Sequence, residues 1–179
     1  MNPSDLRELL EKIYNRNVPP EQAMELLKDL PYEDMGFAQV DHHRALRKGF
    51  PEVIYCEGKT VDQVVAVVDS LLNRNNDVLA TRARPEVFEA VKLLDSKAEY
   101  NPLGRTITVR VSPKKTTEGM VLIMTAGTSD MPVAEEATAT ADLLGSTVET
   151  LYDVGVAGIH RLLGRREALN RSRVIVVVA

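Results

Sequence analysis

The sequence predicts an α/β protein whose carboxy-terminal part is a parallel sheet. Three observations predict it. Residues 120–124 (MVLIM), 148–152 (VETLY) and 174–179 (VIVVVA) are runs of strand length and mostly apolar. The first two are each followed by a short loop of small or polar residues and then a helical stretch. Gly145 falls between the first helical stretch and the second run, where a helix stop belongs. Strand, loop, helix, strand, loop, helix is the pattern of parallel strands joined by helical crossovers. Ligands of such sheets bind in the loops beyond the carboxyl ends of the strands. Loops 126–130 and 153–160 are therefore where function is expected.

At the amino end, Ser4 is placed to cap a helix over residues 5–14, with Leu6, Leu9, Leu10 and Ile13 on one face. Pro19 and Pro20 break it. A second helix over 21–30 presents Ala23, Met24, Leu26, Leu27 and Leu30, and Pro31 stops it. Two short amphipathic helices cannot stand alone, so this hairpin packs on its own domain or on a neighbouring subunit. Residues 37–40 read as a short strand. Asp41-His42-His43-Arg44 follows, and adjacent histidines are a poor chelating spacing. Arg44 and Arg47 share a face if helical, as an anion clamp or as ion-pair partners.

Residues 53–56 read as a strand, Glu57-Gly58 as a turn, and Thr60 as the cap of a helix to about residue 73. That helix shows Val61, Val64, Val65, Val68, Leu71 and Leu72 on one stripe. A strand over 77–80 and a helix over 85–94 follow, so 53–80 is a βαβ unit at the core of a first domain. Residues 98–105, with Asn101-Pro102 and Gly104, read as a turn or linker. A strand over 106–111 and a loop over 113–119 place a domain boundary near 112–119. The expected division is 1–115, an α/β domain with a helical hairpin, and 116–179.

In the second domain Pro132 sits where a first helical turn accepts proline. Ser129 and Asp130 are capping residues there, and Glu135 and Glu136 suit the positive end of the helix dipole. Val133, Ala137, Ala141 and Leu144 make the apolar stripe. Loop 126–130 matches neither G-x-G-x-x-G nor a P-loop, so periodicity alone gives an anion-binding loop at a helix start. Ser129 and Asp130 are caps, ligand contacts, or both. Asp153 ends a strand, where a carboxylate is costly unless paired or bound to a ligand. His160 is a satisfied buried histidine or a catalytic one. Arg165, Arg166, Arg171 and Arg173 form a solvated face, with Arg165 within reach of a phosphate.

The 179 residues are 44% hydrophobic and 27% charged, which fits a packed core. A net charge of −4 without a dense basic tract argues against nonspecific nucleic-acid binding. The longest apolar run is too short to span a bilayer, and the charged amino terminus has no signal core. The expected setting is the cytoplasm, with no membrane partner. Cys56 is the single cysteine and excludes an intrachain disulfide. It reads as a small core residue whose thiol the adjacent Glu57 would hold protonated.

AGTSDMPVAEEA (126–137) followed by DVGVAGIHRLL (153–163) resembles the LarB family of nickel-pincer cofactor biosynthesis. Its carboxy-terminal domain is similar to PurE-type aminoimidazole ribonucleotide carboxylases, with a strand, a glycine loop ending in Ser-Asp, a helix, a strand, and a loop ending in His-Arg. DHHRALRKGFPEVIYCEGKT (41–60) resembles the LarB amino-terminal region, which PurE lacks. The resemblance implies a small α/β domain followed by the first half of a PurE-like three-layer αβα sheet. It implies carboxylation of the pyridinium ring of nicotinic acid adenine dinucleotide at C5 and cleavage of its phosphoanhydride, giving pyridinium-3,5-biscarboxylate mononucleotide and AMP. CO₂ or bicarbonate is the co-substrate, no metal is needed at this step, and a homo-oligomer is expected. Asp130 and His160 are the expected catalytic residues. Gly127, Thr128, Ser129, Asp153 and Arg161 are the expected substrate-binding residues. The family's nucleophilic cysteine lies in the later part of the carboxylase-like domain, beyond Ala179. With three strands and an open edge the chain reads as truncated there, lacking the nucleophile. The rivals are a PurE-like carboxylase or mutase, and a nucleotide-binding module without turnover.

Overall fold

A computed structural model describes residues 3–27, 32–42, 44, 48–50, 52–111, 113 and 117–179. Its α/β architecture is the one expected. Helices α1 (Pro3–Tyr14) and α2 (Pro20–Leu27) form the amino-terminal hairpin. Leu9 and Ala23 are buried, while Leu10, Tyr14 and Met24 are exposed. Helix α1 starts at Pro3, so Ser4 lies inside its first turn and not at its cap. The expected end of the second helix at Leu30-Pro31 falls outside the described residues. Strands β1 (Glu33–Asp34) and β2 (Gln39–Val40) pair antiparallel across Gly36, whose φ of 79° favours glycine. Of the histidine–arginine segment, His43 and Arg47 lie outside the described residues, and Arg44 stands over the Phe50 ring.

The first large sheet has the order β3 (Val53–Tyr55), β4 (Val78–Thr81), β6 (Thr106–Val109), β5 (Glu99–Asn101). β3 and β4 are parallel, joined through helix α3 (Val61–Leu72), as the βαβ reading expects. Thr60 caps α3 in a full capping box with Gln63. Helix α4 (Pro85–Leu94) lies where it was expected. Stretch 98–105 is not a linker. Glu99–Asn101 forms a strand that pairs antiparallel with β6 through a tight turn. Its Asn101 carbonyl oxygen on the side chain takes the N–H groups of Leu103 and Gly104, and that turn chemistry masks the strand in the sequence. Helices α3 and α4 cover one face, where Val64, Val68, Leu71, Val87, Val91, Ile107 and Val109 form the core.

The second sheet is all parallel, in the order β8 (Thr147–Leu151), β7 (Met120–Thr125), β9 (Val174–Val178). Helix α5 (Met131–Leu143) connects β7 to β8. Helices α6 (Ile159–Leu163) and α7 (Arg166–Arg171) connect β8 back across to β9. The two crossovers run in opposite directions along the sheet. Right-handed crossovers then put α5 on one face and α6–α7 on the other. The burial agrees, since Leu122 and Met124 pack with Ala168, Leu162 and Leu169. This gives the three-layer arrangement.

Helix α5 touches both large sheets, which explains its composition. Its Ala134 is fully buried and Leu143 nearly so, whereas Val133 is 48% exposed and Leu144 41%. The stripe of Val133, Ala137, Ala141 and Leu144 is thus not the buried one. A helix pressed from two sides needs small residues around its girth, so no single apolar stripe marks it. Gly104 is fixed by the same contact: a Cβ there would meet the Glu135 backbone carbon at 3.0 Å. Arg110 donates from Nη1 to the Leu143 carbonyl at 3.3 Å and from Nη2 to the Asp142 carbonyl at 3.1 Å, a cation placed on the helix's negative end. The helix stops as expected at Gly145, with φ of 94°. The Gly145 N–H donates to Asp142 and that of Ser146 to Ala141, a Schellman closure.

Candidate functional site

The strand order decides where a crevice opens. From β7 one connection leads to β8 on one side, and the chain then crosses to β9 on the other. The switch point therefore falls between β7 and β9, and ligands enter such sheets at the carboxyl ends beside it. The loop after β7 stands on that crevice. Its Thr128–Asp130 forms a single 3₁₀ turn leading into α5. The Asp130 carboxylate accepts the Gly127 N–H at 2.8 Å, closing the loop on itself. Asp130 thus stands at the N-cap position of α5, as expected, but its side chain closes the loop and makes no cap bond, and Ser129, exposed, makes only a weak 3.5 Å contact with it. The amides of Thr128 and Ser129 meet no acceptor among the described residues. Two unspent N–H groups in an exposed loop make a donor pair for an oxyanion.

The loop after β8 is locked to the first. Val154 N–H donates to the Thr125 carbonyl at 3.0 Å, Gly155 N–H to the Ala126 carbonyl at 2.9 Å, and Asp153 N–H to the Thr125 hydroxyl at 3.0 Å. A Cβ on Gly155 would stand 2.6 Å from the Ala126 oxygen, so only glycine permits this approach. Asp153 has a φ of 58°, in the left-handed region that aspartate tolerates better than most residues. Its carboxylate pairs with Arg161, whose guanidinium lies flat against Gly158. The carboxylate at the strand end is therefore satisfied.

Asp153, His160 and Arg161 line one open cleft of about 510 Å³, together with Tyr152 and Arg165. His160 belongs to the first turn of α6 and is exposed, with neither ring nitrogen engaged among the described residues. Arg165 likewise meets no carboxylate among them. The cleft therefore offers a free guanidinium and an imidazole beside a neutralised ion pair. Gly127, Thr128, Ser129 and Asp130 do not line this cleft. They form the adjacent wall, joined to it through the Gly155–Ala126 bond. A second cleft of about 510 Å³ lies between the β5–β6 hairpin and α5, lined by Lys97, Thr106, Thr108, Thr138 and Asp142, and holds none of the expected site residues.

The contacts made by Glu135, Glu136 and Tyr152 could not be read from the sequence. Glu135 accepts the Tyr152 hydroxyl and the Asn101 amide, each at 2.5 Å, and so ties β5 to the rim of the cleft. Burial, and then that hydrogen bond, push the Tyr152 phenol up. Glu136 accepts the Arg82 Nε–H at 2.8 Å. Neither glutamate serves the helix dipole; both hold the first sheet. Cys56 is buried, and burial pushes its thiol up to about 11, with Lys59 and Arg105 opposing. Burial rather than Glu57 is the cause. Among the described residues no group of three or more His, Cys, Asp or Glu could hold a metal, and no helix is long and apolar enough to cross a membrane.

Residues 32–112 match the model of the LarB/PurE-like N-terminal domain. Over 188 aligned residues the chain is 35% identical to an uncharacterized protein of Methanocaldococcus jannaschii, covering 98% of this chain and 72% of that one. The chain belongs to the LarB/PurE family. At family level that carries an enzymatic, carboxylase-related role. The family match covers the first large sheet. The likeness to the archaeal relative extends over nearly the whole chain, including the two loops.

Proposed function

We propose that the protein acts on nicotinic acid adenine dinucleotide, carboxylating its pyridinium ring at C5 and hydrolysing its phosphoanhydride. The products are pyridinium-3,5-biscarboxylate mononucleotide and AMP. The observation that carries this reading is the pairing of two loops. One offers the free amides of Thr128 and Ser129, the other the free Arg165 and His160, and backbone bonds hold them together. A substrate with two phosphates and a ring carboxylate needs such donors on more than one wall.

The chemistry sets further demands. A pyridinium ring is electron-poor and does not attack CO₂. Addition of a thiolate at C4 turns it into a neutral enamine whose C5 forms the new bond to CO₂. Loss of the C5 proton and expulsion of the thiolate then restore the aromatic ring. His160, open on the cleft, is the residue proposed to take that proton. Arg161 and Arg165 hold anionic groups of the substrate, and Asp153 fixes Arg161. Asp130 keeps the loop amides in place. Water attacks the phosphoanhydride phosphorus and AMP leaves. Cys56 does not supply the thiolate, being buried and protonated at neutral pH. By resemblance the family's cysteine belongs to a later part of the carboxylase-like domain. The same reading divides the chain at about residues 115/116 and makes it a cytoplasmic homo-oligomer.

The test is product analysis with ¹³C-bicarbonate, the protein being expressed from its complete reading frame. Nicotinic acid adenine dinucleotide should yield AMP and a labelled biscarboxylated mononucleotide in equal amounts. Labelling of aminoimidazole ribonucleotide instead would assign the PurE-type reaction. Binding of the dinucleotide without any product would leave a nucleotide-binding module.

A further inference from the structure

Arg82 is the first residue after β4, at the carboxyl end of the parallel β3–β4 pair. Its φ is 55°, a left-handed conformation that a long side chain adopts at a cost. Neighbouring bonds hold it there. Arg105, itself at φ 51°, donates from Nη2 to the Arg82 carbonyl at 3.1 Å, and the Ala83 N–H donates to the Arg105 carbonyl at 2.7 Å. Backbone strain kept in place by its surroundings is a reason to ask what the side chain does. The guanidinium spends only Nε–H, on Glu136. Its two terminal amino groups meet no acceptor among the described residues, and the side chain is 40% exposed. That leaves the planar fork, the part of arginine that grips carboxylates and phosphates, open to solvent.

Tyr55 stands beside it. Its register partner is Thr81, one residue before Arg82, and its side chain leaves the core face that holds Ile54. Tyr55 is 53% exposed, and its hydroxyl donates to Glu57 at 2.5 Å. Tyr55, Arg82 and Glu136 thus share one rim, where the first sheet meets α5. Glu136 lies six residues along α5 from Asp130, about 9 Å of axial rise. A dinucleotide held on the Thr128–Ser129 amides spans that distance.

We propose that Arg82 and Tyr55 form a ligand subsite lent by the first sheet to the site on the second, with the Arg82 fork binding an oxyanion and the Tyr55 ring covering the flat group that bears it. The oxyanion is a ring carboxylate or a phosphate. The subsite extends the function proposed above and rests on it for the choice of probes. Glu136 holds the guanidinium ready and competes with the ligand for it. A merely structural Arg82–Glu136 bridge makes the opposite claim, that both partners matter alike.

Calorimetric titration of the chain with nicotinic acid adenine dinucleotide, NAD and AMP separates the two. Arg82→Gln should weaken dinucleotide binding at least tenfold. Arg82→Lys, which keeps the charge without the fork, should fall between it and the wild type. Glu136→Gln should bind as tightly as the wild type or more so, although it removes the same ion pair. Thermal unfolding run alongside should show Arg82→Gln and Glu136→Gln shifted by similar amounts. If the fork takes the ring carboxylate, the wild type prefers the nicotinic acid form over NAD and Arg82→Gln erases the preference. If it takes a phosphate, all three probes weaken together. Equal loss of binding in Arg82→Gln and Glu136→Gln, unchanged binding in Arg82→Gln, or no binding of any probe by the wild type would overturn the subsite. Failure of the proposed reaction is read separately, as absence of AMP release in the product analysis.

Discussion

Replacing Gly155 by alanine tests whether the two site loops are locked as the geometry has them. The new Cβ would lie 2.6 Å from the Ala126 oxygen and 3.2 Å from its carbon. That oxygen belongs to a backbone already pinned, since the Ala126 N–H donates to Val178 at 2.9 Å. The neighbour therefore cannot swing away as a flexible side chain would. Overpacking of this kind costs about 1–3 kcal/mol. The Gly155–Ala126 hydrogen bond is lost as well, worth about 1 kcal/mol net. The φ of Gly155 is −60°, so alanine brings no backbone strain and removes some freedom from the unfolded chain, offsetting about 0.4–1 kcal/mol. The balance is a loss of about 2 kcal/mol, which lowers the Tm of a chain of this length by about 4–8 °C. Thermal unfolding followed by circular dichroism measures it. Gly164→Ala is the control: its Cβ would meet the His160 carbonyl at 3.4 Å and the Arg161 carbonyl at 3.7 Å, at a helical φ of −68°, and should leave the Tm equal or slightly higher. A Gly155→Ala protein as stable as the wild type, or a control that falls equally, would refute the locked-loop geometry.

Three further outcomes are expected. His42 is buried against Glu33 at 2.9 Å and Ser70 at 3.2 Å; burial lowers its pKa, so the folded chain holds it neutral. The unfolded chain then binds the extra proton first, and stability should fall as pH drops below about 6.5, with a His42→Gln variant showing a flatter profile in urea titrations at graded pH. Arg110→Ala should lose about 1–2 kcal/mol by urea unfolding, because two α5 carbonyls and Asp142 lose their cation. A thiol reagent should label Cys56 at the rate of unfolding and not before, and early labelling would contradict its burial.

What the sequence revealed was local. Thr60 as a cap, a helix from Pro85 and Gly145 as a helix stop are local signals, and the structure keeps each of them, adding Gln63 to the Thr60 cap. The strands of the second sheet were legible as apolar runs, of which β7 is the buried one, while β9 keeps Val174, Ile175 and Val177 exposed. Strand β5 was not, since Glu99-Tyr100-Asn101 shows a partly polar face and ends in turn residues. The buried face of α5 was hidden for another reason: two sheets flank it, and small residues on all sides leave no period to read. The glutamate contacts were beyond reach, because Glu135 meets residues 17 and 34 positions away and Glu136 one 54 away. Loop positions of the expected site residues followed from the strand pattern. Their separation into a cleft and an adjoining wall required the strand order.

The most direct measurement is an amide map of the ¹⁵N-labelled chain titrated with nicotinic acid adenine dinucleotide. Shifts should concentrate at Gly127, Thr128 and Ser129 on one loop and at Asp153, His160 and Arg161 on the other. Shifts gathered instead at Thr106, Thr108 and Thr138, around the second cleft, or no shifts at all, would contradict a dinucleotide site at the carboxyl edge of the second sheet.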